Sequence, residues 1–598
     1  MNSEYLDIKI DYSRDGLFDE LGLKRLRESY MRNDEKSPQE RFAYVSKMFS
    51  SNDAHAQRLY DYASNHWLSY STPILSYGRT KYGLPISCFL SWIPDTAKGL
   101  VDTLSETNWL SMLGGGVGVG FGIRAAGDKS TGVLPHLKTY DSSSLAYRQG
   151  NTRRGSYAAY LDISHPDVLM FLEMRKPTGD QNMRCLNLHH GINVTDDFMK
   201  IIERCMLDPK TDDRWELKNP GTSEVKEVVS AKELWQRILE TRMQTGEPYI
   251  HFIDTANRAL PQFLKDKGLK IQQSNLCIEI ELPTNEARTA VCCLSSLNLE
   301  LFDDWKGDTL FIKDVAEMLD NVLSFFIKNA PDEISRAKYS ALMERSIGIG
   351  ALGFHAYLQK NSIPFENFMA KSVNMKIFSH IKEMADKASL ELGQERGEAP
   401  DAKGTGKRFS HTMAVAPNAS SSILMGNTSP SIEPFKANCY RQDTLSGSSM
   451  NKNKYLDKII KDMCAENKNL DYQEIWSQII SNSGSIQSID LFDDWTKSIF
   501  KTAIEIDQRW IIDHASARQA FIDQGQSVNV FFRPDTNIKY LHAVHFSAWK
   551  KGLKGLYYCR SEKIINADKV SQKVERNIIE EIDIKSLIDQ DECLACSG

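Results

Sequence analysis

Short apolar runs with strand character recur between helical stretches along most of this chain, and that alternation restricts the fold more than any other feature. The runs are residues 117–123, 157–163, 188–194, 249–253, 276–280, 292–299, 347–354, 413–416, 528–532 and 556–559. Ten such runs with helices between most of them imply an α/β architecture with largely parallel strands, for which a closed barrel is one way to shut the sheet. The first eighty or so residues read differently. They are charged and helical, with Leu17, Leu21, Leu23 and Leu26 at near-helical spacing. The expected organisation is a helical domain over 1–83, an α/β unit over 84–565 and an acidic tail over 566–598. A mostly helical insertion without a strong strand is expected at about 438–525, ahead of the last two strands.

At 598 residues, 41% hydrophobic and 25% charged, the chain has the composition of a soluble globular protein too long for one simple core. Its net charge of -6 disfavours nonspecific nucleic-acid binding, because no excess of cations is available to displace counterions. A local basic groove for a phosphorylated small molecule stays open. The apolar runs fall far short of a membrane span, and no apolar signal region follows Met1, so a cytoplasmic location is expected. Eleven cysteines, an odd number thinly spread, are unlike a secreted disulfide framework.

Asn275-Leu276-Cys277-Ile278-Glu279 places an amide, a thiol and a carboxylate two residues apart. On an extended strand all three would share a face. A lone cysteine is more often a small buried apolar residue, but these neighbours offer a hydrogen-bonding group and a general base. Cys593 and Cys596 form a Cys-x-x-Cys on a polar tail, with no further cysteine or histidine in it to complete a zinc site. A vicinal dithiol on a mobile arm suits thiol–disulfide exchange, and a tail of ~25 residues can reach at most roughly 80 Å. An incidental pair of exposed thiols is the plainer alternative.

The glycine row from Gly114 to Gly122 invites a dinucleotide-binding reading. That fingerprint needs a preceding strand and a following helix, whereas here a helical stretch precedes and a strand follows. The glycines are better read as letting backbone approach a neighbour closely. Ser420, Ser421 and Ser422, after Pro417-Asn418, stand at the start of a helix and can serve an anion or simply cap the helix. Tyr557 and Tyr558 are adjacent, so stacking them needs irregular geometry at a strand end.

Together these pieces resemble the large, catalytic subunit of class I ribonucleotide reductase, from about Ser71 to the C-terminus. The carriers are Ser71-Thr72-Pro73, Ser87-Cys88, the Asn275–Glu279 stretch, Cys292-Cys293-Leu294-Ser295-Ser296-Leu297-Asn298-Leu299, Pro417-Asn418-Ala419-Ser420-Ser421-Ser422, Leu556-Tyr557-Tyr558 and Glu592-Cys593-Leu594-Ala595-Cys596. The resemblance implies a ten-stranded α/β barrel with Cys277 on a central finger loop, preceded by a short helical domain. It implies reduction of ribonucleoside diphosphates, with Cys277 as the thiyl radical, Glu279 as general base and Asn275 holding the ribose and Glu279. Cys88 and Cys292 would be the redox pair, since strand alternation sends the competing Cys293 to the other face. Tyr557 and Tyr558 would relay a radical from a metal-containing small subunit. Cys593 and Cys596 would re-reduce the pair and be reduced by thioredoxin or glutaredoxin. The substrate diphosphate would sit on Ser420, Ser421 and Ser422, with Thr72 and Ser87 nearby.

The resemblance also implies a homodimer whose interface binds a triphosphate effector, ATP or a deoxynucleotide with Mg, through Asp95, Arg124, Gln149, Arg153 and Arg154. It leaves open which of the last two touches substrate. No resident metal, nucleic acid or membrane is implied. The stretch ahead of Ser71 is too short for an ATP-cone, so no dATP shut-off through one is expected. The competing readings are a cobalamin-dependent reductase, which needs no tyrosine relay, and a glycyl-radical type, for which the C-terminus has no segment. A simple disulfide oxidoreductase leaves Asn275, Glu279 and the serines without a role. A catalytically dead nucleotide-binding subunit conflicts with the presence of every expected reactive residue.

Overall fold

Five strands run parallel, side by side and in chain order: β1 (Cys88–Ile93), β2 (Gly116–Phe121), β3 (Ser156–Asp162), β4 (His189–Val194) and β5 (Tyr249–Phe252). The structure is a computed structural model and describes residues 7–79, 83–127, 129–147, 156–222, 224–444 and 447–561. A second parallel set begins with β6 (Ala290–Asn298) and β7 (Ile347–Leu352). Residues 413–416 bridge β7 through Ile349–Met413 and the next segment through Val415–Gln526. That segment runs on into β8 (Val530–Phe532), which pairs in parallel with the closing segment, β9 (Gly555–Leu556) and β10 (Cys559–Ser561), through β10. The seams are antiparallel: β1 against β6, and β9 against β5. Ten extended segments therefore close a ring of two parallel halves, which leaves few free edges.

The sequence of β2 shows why the ring has an occupied centre. Val117, Val119 and Phe121 point into the outer core beneath the helices. The alternate glycines face inward, where a Cβ on Gly118 would stand 2.1 Å from the Ser274 carbonyl and one on Gly120 2.6 Å from Gln273 Oε1. The glycine row is thus a close-approach surface for the segment around Cys277, not a nucleotide fingerprint. In the N-terminal region, α1 (Glu20–Ser29), α2 (Pro38–Met48) and α3 (Asp53–Ser64) are capped by Asp19, Ser37 and Asn52, whose side chains accept first-turn N–H bonds. No helix among the described residues is long and apolar enough to cross a membrane.

Several expectations are corrected. Residues 276–280 are not a strand. Asn275 Oδ1 accepts from the N–H groups of Glu279 and Ile280 at 3.0 and 3.1 Å, and Ile278 turns at φ +63°, so the argument from strand alternation does not apply there. Cys88–Ile93, absent from the ten runs, takes the vacated place in the ring. Residues 413–416 contribute bridges without a regular strand. The run at 556–559 is interrupted at the tyrosine pair, the irregularity that stacking adjacent rings requires. The insertion contains a hairpin, Cys439–Thr444 with Gly447–Lys452, beside its helices. A second hairpin, Arg214–Lys218 with Val225–Ser230, and the edge strand Leu68–Tyr70 were also not foreseen.

Candidate active site

Residues 272–284 enter the barrel as a finger, and small residues of the wall admit it. Besides Gly118, Gly525 lies close against the carbonyls of Ile278 and Glu279, where a Cβ would stand at 3.0 and 3.1 Å, and Gly555 lies against the Ile278 side chain, where one would stand at 2.8 Å. The turn holds itself: Ser274 Oγ donates to the Ile280 carbonyl at 2.8 Å, and Tyr160 donates to the Asn275 carbonyl at 2.5 Å. Asn275 therefore reaches Glu279 through the backbone N–H, while Ser527 Oγ approaches Glu279 Oε2 at 3.3 Å and donates to the Cys277 carbonyl at 2.7 Å. Cys277, Asn275 and Glu279 are all buried.

Cys88 and Cys292 are directly opposed across the antiparallel seam of β1 and β6. Opposed residues share a face with Cα atoms about 4.5–5.5 Å apart, inside the range a disulfide spans. Both thiols belong to the cluster that fills the barrel, with Cys277, Tyr557 and Tyr558, whereas Cys293 packs in the outer core. Burial, with Cys88 beside it, pushes the Cys292 thiol far above its ordinary range, against the lowering effect of its hydrogen bonds from Gln524 (3.4 Å) and Ser346 (3.9 Å). Cys292 accordingly keeps its proton.

Tyr557 donates its hydroxyl to Cys277 Sγ at 3.3 Å, and its ring lies 4.3 Å from that of Tyr558. Tyr249 completes a cluster, with its ring 4.8 Å from Tyr557 and 5.2 Å from Tyr558 and its hydroxyl donating to the Tyr558 oxygen at 3.0 Å. His189 Nδ1 lies 3.4 Å from that oxygen and 2.6 Å from Glu247 Oε1. Burial alone would raise the Glu247 carboxyl, yet Arg175, His189 and His190 hold it well below the usual range. Burial, with Tyr558 and Glu247 adding to it, raises the Tyr249 hydroxyl well above its ordinary value, so Tyr249 is a neutral phenol.

Ser420, Ser421 and Ser422 begin the short helix Ala419–Leu424, whose cap Asn418 is left-handed and is held by Ser296 and the Ala351 carbonyl. Arg25 of α1 reaches Ser420 Oγ at 3.5 Å, and Tyr30 lies 3.4 Å from Thr72 Oγ1. Ser87 precedes Cys88 on the same wall, 3.9 Å from its sulfur. Asp95 and Arg124 form an ion pair at 2.6 Å after β1 and β2. Gln149, Arg153, Arg154, Cys593 and Cys596 lie outside the described residues. A possible metal group, His55, Asp314 and Glu317, is bound up internally, with Asp314 forked by Arg58 at 2.6 and 2.8 Å.

Tyr249, His189, Glu247, Tyr160, Ser527, Gln524 and Arg25 were not found by sequence reasoning. Tyr249, Tyr160 and His189 were visible only as strand residues, and the others carry no spacing signal because distant segments bring them in.

A family model described as ribonucleotide reductase, barrel domain, matches residues 86–405 and 399–559, and one described as ribonucleotide reductase, all-alpha domain, matches residues 16–83. The ribonucleoside-diphosphate reductase large subunit of Invertebrate iridescent virus 3 is 52% identical, over 94% of this chain and 97% of its own length. The one from Caenorhabditis elegans is 31% identical, over 100% and 83%. Among solved structures, the Actinobacillus ureae class Id ribonucleotide reductase alpha subunit superposes with a TM-score of 0.80 at 33% identity, covering 93% of this chain and 98% of that one.

Proposed function

Because this chain belongs to the ribonucleotide reductase large-subunit family, we propose that it reduces ribonucleoside diphosphates to 2′-deoxyribonucleoside diphosphates by a thiyl-radical mechanism at Cys277. It is an oxidoreductase, the catalytic subunit of a class I enzyme, and it serves deoxyribonucleotide synthesis together with a small subunit. In the proposed cycle the Cys277 thiyl takes the ribose 3′-hydrogen, a step that runs both ways because thiol S–H and activated C–H bonds are close in strength. Glu279 accepts the 3′-hydroxyl proton. The 2′-hydroxyl leaves as water with a proton from the Cys88/Cys292 pair. That pair gives a second hydrogen to C2′, so that it supplies two electrons and two protons in all and ends as a disulfide, and Cys277 then returns the hydrogen to C3′ while Glu279 returns the proton to the 3′-oxygen.

The observation that carries this reading is one interior holding Cys277, its donor Tyr557 and the opposed pair Cys88 and Cys292. The burial that keeps Cys292 protonated favours S–H chemistry over thiolate attack. Tyr557 and Tyr558 would carry the radical in from a metal-containing small subunit. Ser420, Ser421, Ser422, Thr72 and Ser87 would hold the substrate. Asp95 and Arg124, with Gln149, Arg153 and Arg154, would read a triphosphate effector with Mg at a homodimer interface. Cys593 and Cys596 would return electrons from thioredoxin or glutaredoxin.

The test is dCDP formation from CDP with a dithiol and a triphosphate effector, run with the cognate small subunit and separately with adenosylcobalamin. Turnover is expected only with the small subunit, and Cys277→Ser should bring it below detection. Turnover with cobalamin alone would move the protein to that class and leave the tyrosines structural. Product from neither, with a verified active partner, would sink the reductase reading.

A further inference from the structure

The serine cluster has a cation beside it that no sequence motif announced. We propose that Arg25, on α1 of the N-terminal domain, is a substrate-binding residue that pairs with the diphosphate of a ribonucleoside diphosphate held at Ser420, Ser421 and Ser422. This rests on the reading of those serines as the phosphate end of the site. Arg25 Nη2 stands 3.5 Å from Ser420 Oγ, and its Nε is enclosed without a hydrogen-bond partner. Its polar partner among the described residues is thus a neutral hydroxyl, not a carboxylate. A neighbour on the same helix behaves ordinarily: Lys24 lies 3.9 Å from Glu28. A guanidinium nitrogen withdrawn from water without an acceptor is costly, and phosphate oxygens supply the forked acceptor that its geometry suits.

The seating of α1 supports the assignment. A Cβ on Gly22 would stand 3.3 Å from the Ile423 carbonyl, so the helix rests directly on the serine helix. Eight residues on, Tyr30 meets Thr72. Helix α1 and the residue that caps it, Tyr30, therefore touch two parts of the expected phosphate site. Arg242 and Arg518 also leave a guanidinium nitrogen unpaired, but they contact His545 and Asn374 and have no serine cluster beside them.

Two measurements on the full chain decide the matter. In CDP reduction by the assembled large and small subunits, Arg25→Gln should raise KM for CDP roughly ten- to hundredfold, the worth of a charge-assisted hydrogen bond, while kcat stays within about twofold. Arg25→Lys should recover part of the loss. In binding to the large subunit, wild type should prefer CDP to cytidine, and Arg25→Gln should cut that ratio by the same factor with cytidine affinity unchanged. Unchanged KM and ratio in a folded Arg25→Gln, or equal weakening of CDP and cytidine, would overturn the proposal. A wild type that binds CDP but makes no product with an active small subunit would sink the reductase reading instead, and the CDP-to-cytidine ratio would still decide the role of Arg25.

Discussion

Tyr249 touches both tyrosines of the expected relay, and its hydroxyl donates to the oxygen of the outer one. Removing that hydroxyl deletes one buried neutral hydrogen bond, worth about 1 kcal/mol. Tyr249→Phe is therefore expected to fold normally and lower CDP turnover about fivefold, whereas Tyr557→Phe, which removes the donor to Cys277, should abolish it. Steady-state rates of the two variants with the small subunit check this. A Tyr249→Phe as inactive as Tyr557→Phe would make Tyr249 an obligatory member of the path. The cysteines were legible at this scale, because alternation along β6 separates Cys292 from Cys293 whatever the rest of the chain does. Tyr249 was not, since only the closure of β9 against β5 brings it to Tyr557.

At the scale of elements, the finger and its wall are matched by volume. Gly118 sits on regular strand backbone, so the cost of a side chain there is steric: its Cβ would fall 2.1 Å from the Ser274 carbonyl. Gly118→Ala should destabilise the protein by about 2–3 kcal/mol and displace the finger, so that turnover falls further than the shift in thermal midpoint accounts for. A variant with unchanged melting and activity would show that the finger is not held against β2. Close approach was readable from the glycine row, but the neighbour was not, because a period-two pattern names a face and not what lies against it. The finger itself was misread as a strand for a local reason. Asn275 satisfies two backbone N–H groups and lets Ile278 take a left-handed conformation that β-branched residues rarely adopt.

At the scale of the molecule, stability depends on joining segments far apart in the chain. Asp523 accepts from the N–H groups of Thr412 and Met413 at 2.9 Å and pairs with Lys382 at 3.3 Å, tying a ring segment to the helix Phe368–Arg396. Burial alone would raise its pKa, but Lys382, His411 and these N–H groups hold it at about 2 against an ordinary 3.8. A carboxylate depressed on folding stabilises the protein above its unfolded pKa, and that contribution is lost as pH falls from about 3.8 through about 2. It amounts to on the order of 2 kcal/mol. Asp523→Asn should lower the thermal midpoint at pH 7, and the gap to wild type should close as the buffer is taken below about pH 3. A gap independent of pH would assign the role of Asp523 to packing.

What the sequence determined by itself was the α/β class and which groups are candidates for chemistry, because thiol, carboxylate and phenol chemistry and a residue's preference for helix or strand are local properties. The order of motifs was specific enough to carry the family resemblance before any contact was known. Only the tertiary structure decided that Cys88 faces Cys292, that Tyr249 joins the tyrosines and that Arg25 stands at the serines. These pairs are separated by 204, 308 and 395 residues. Such contacts form through ring closure and the seating of α1, and no periodicity within a single segment encodes them.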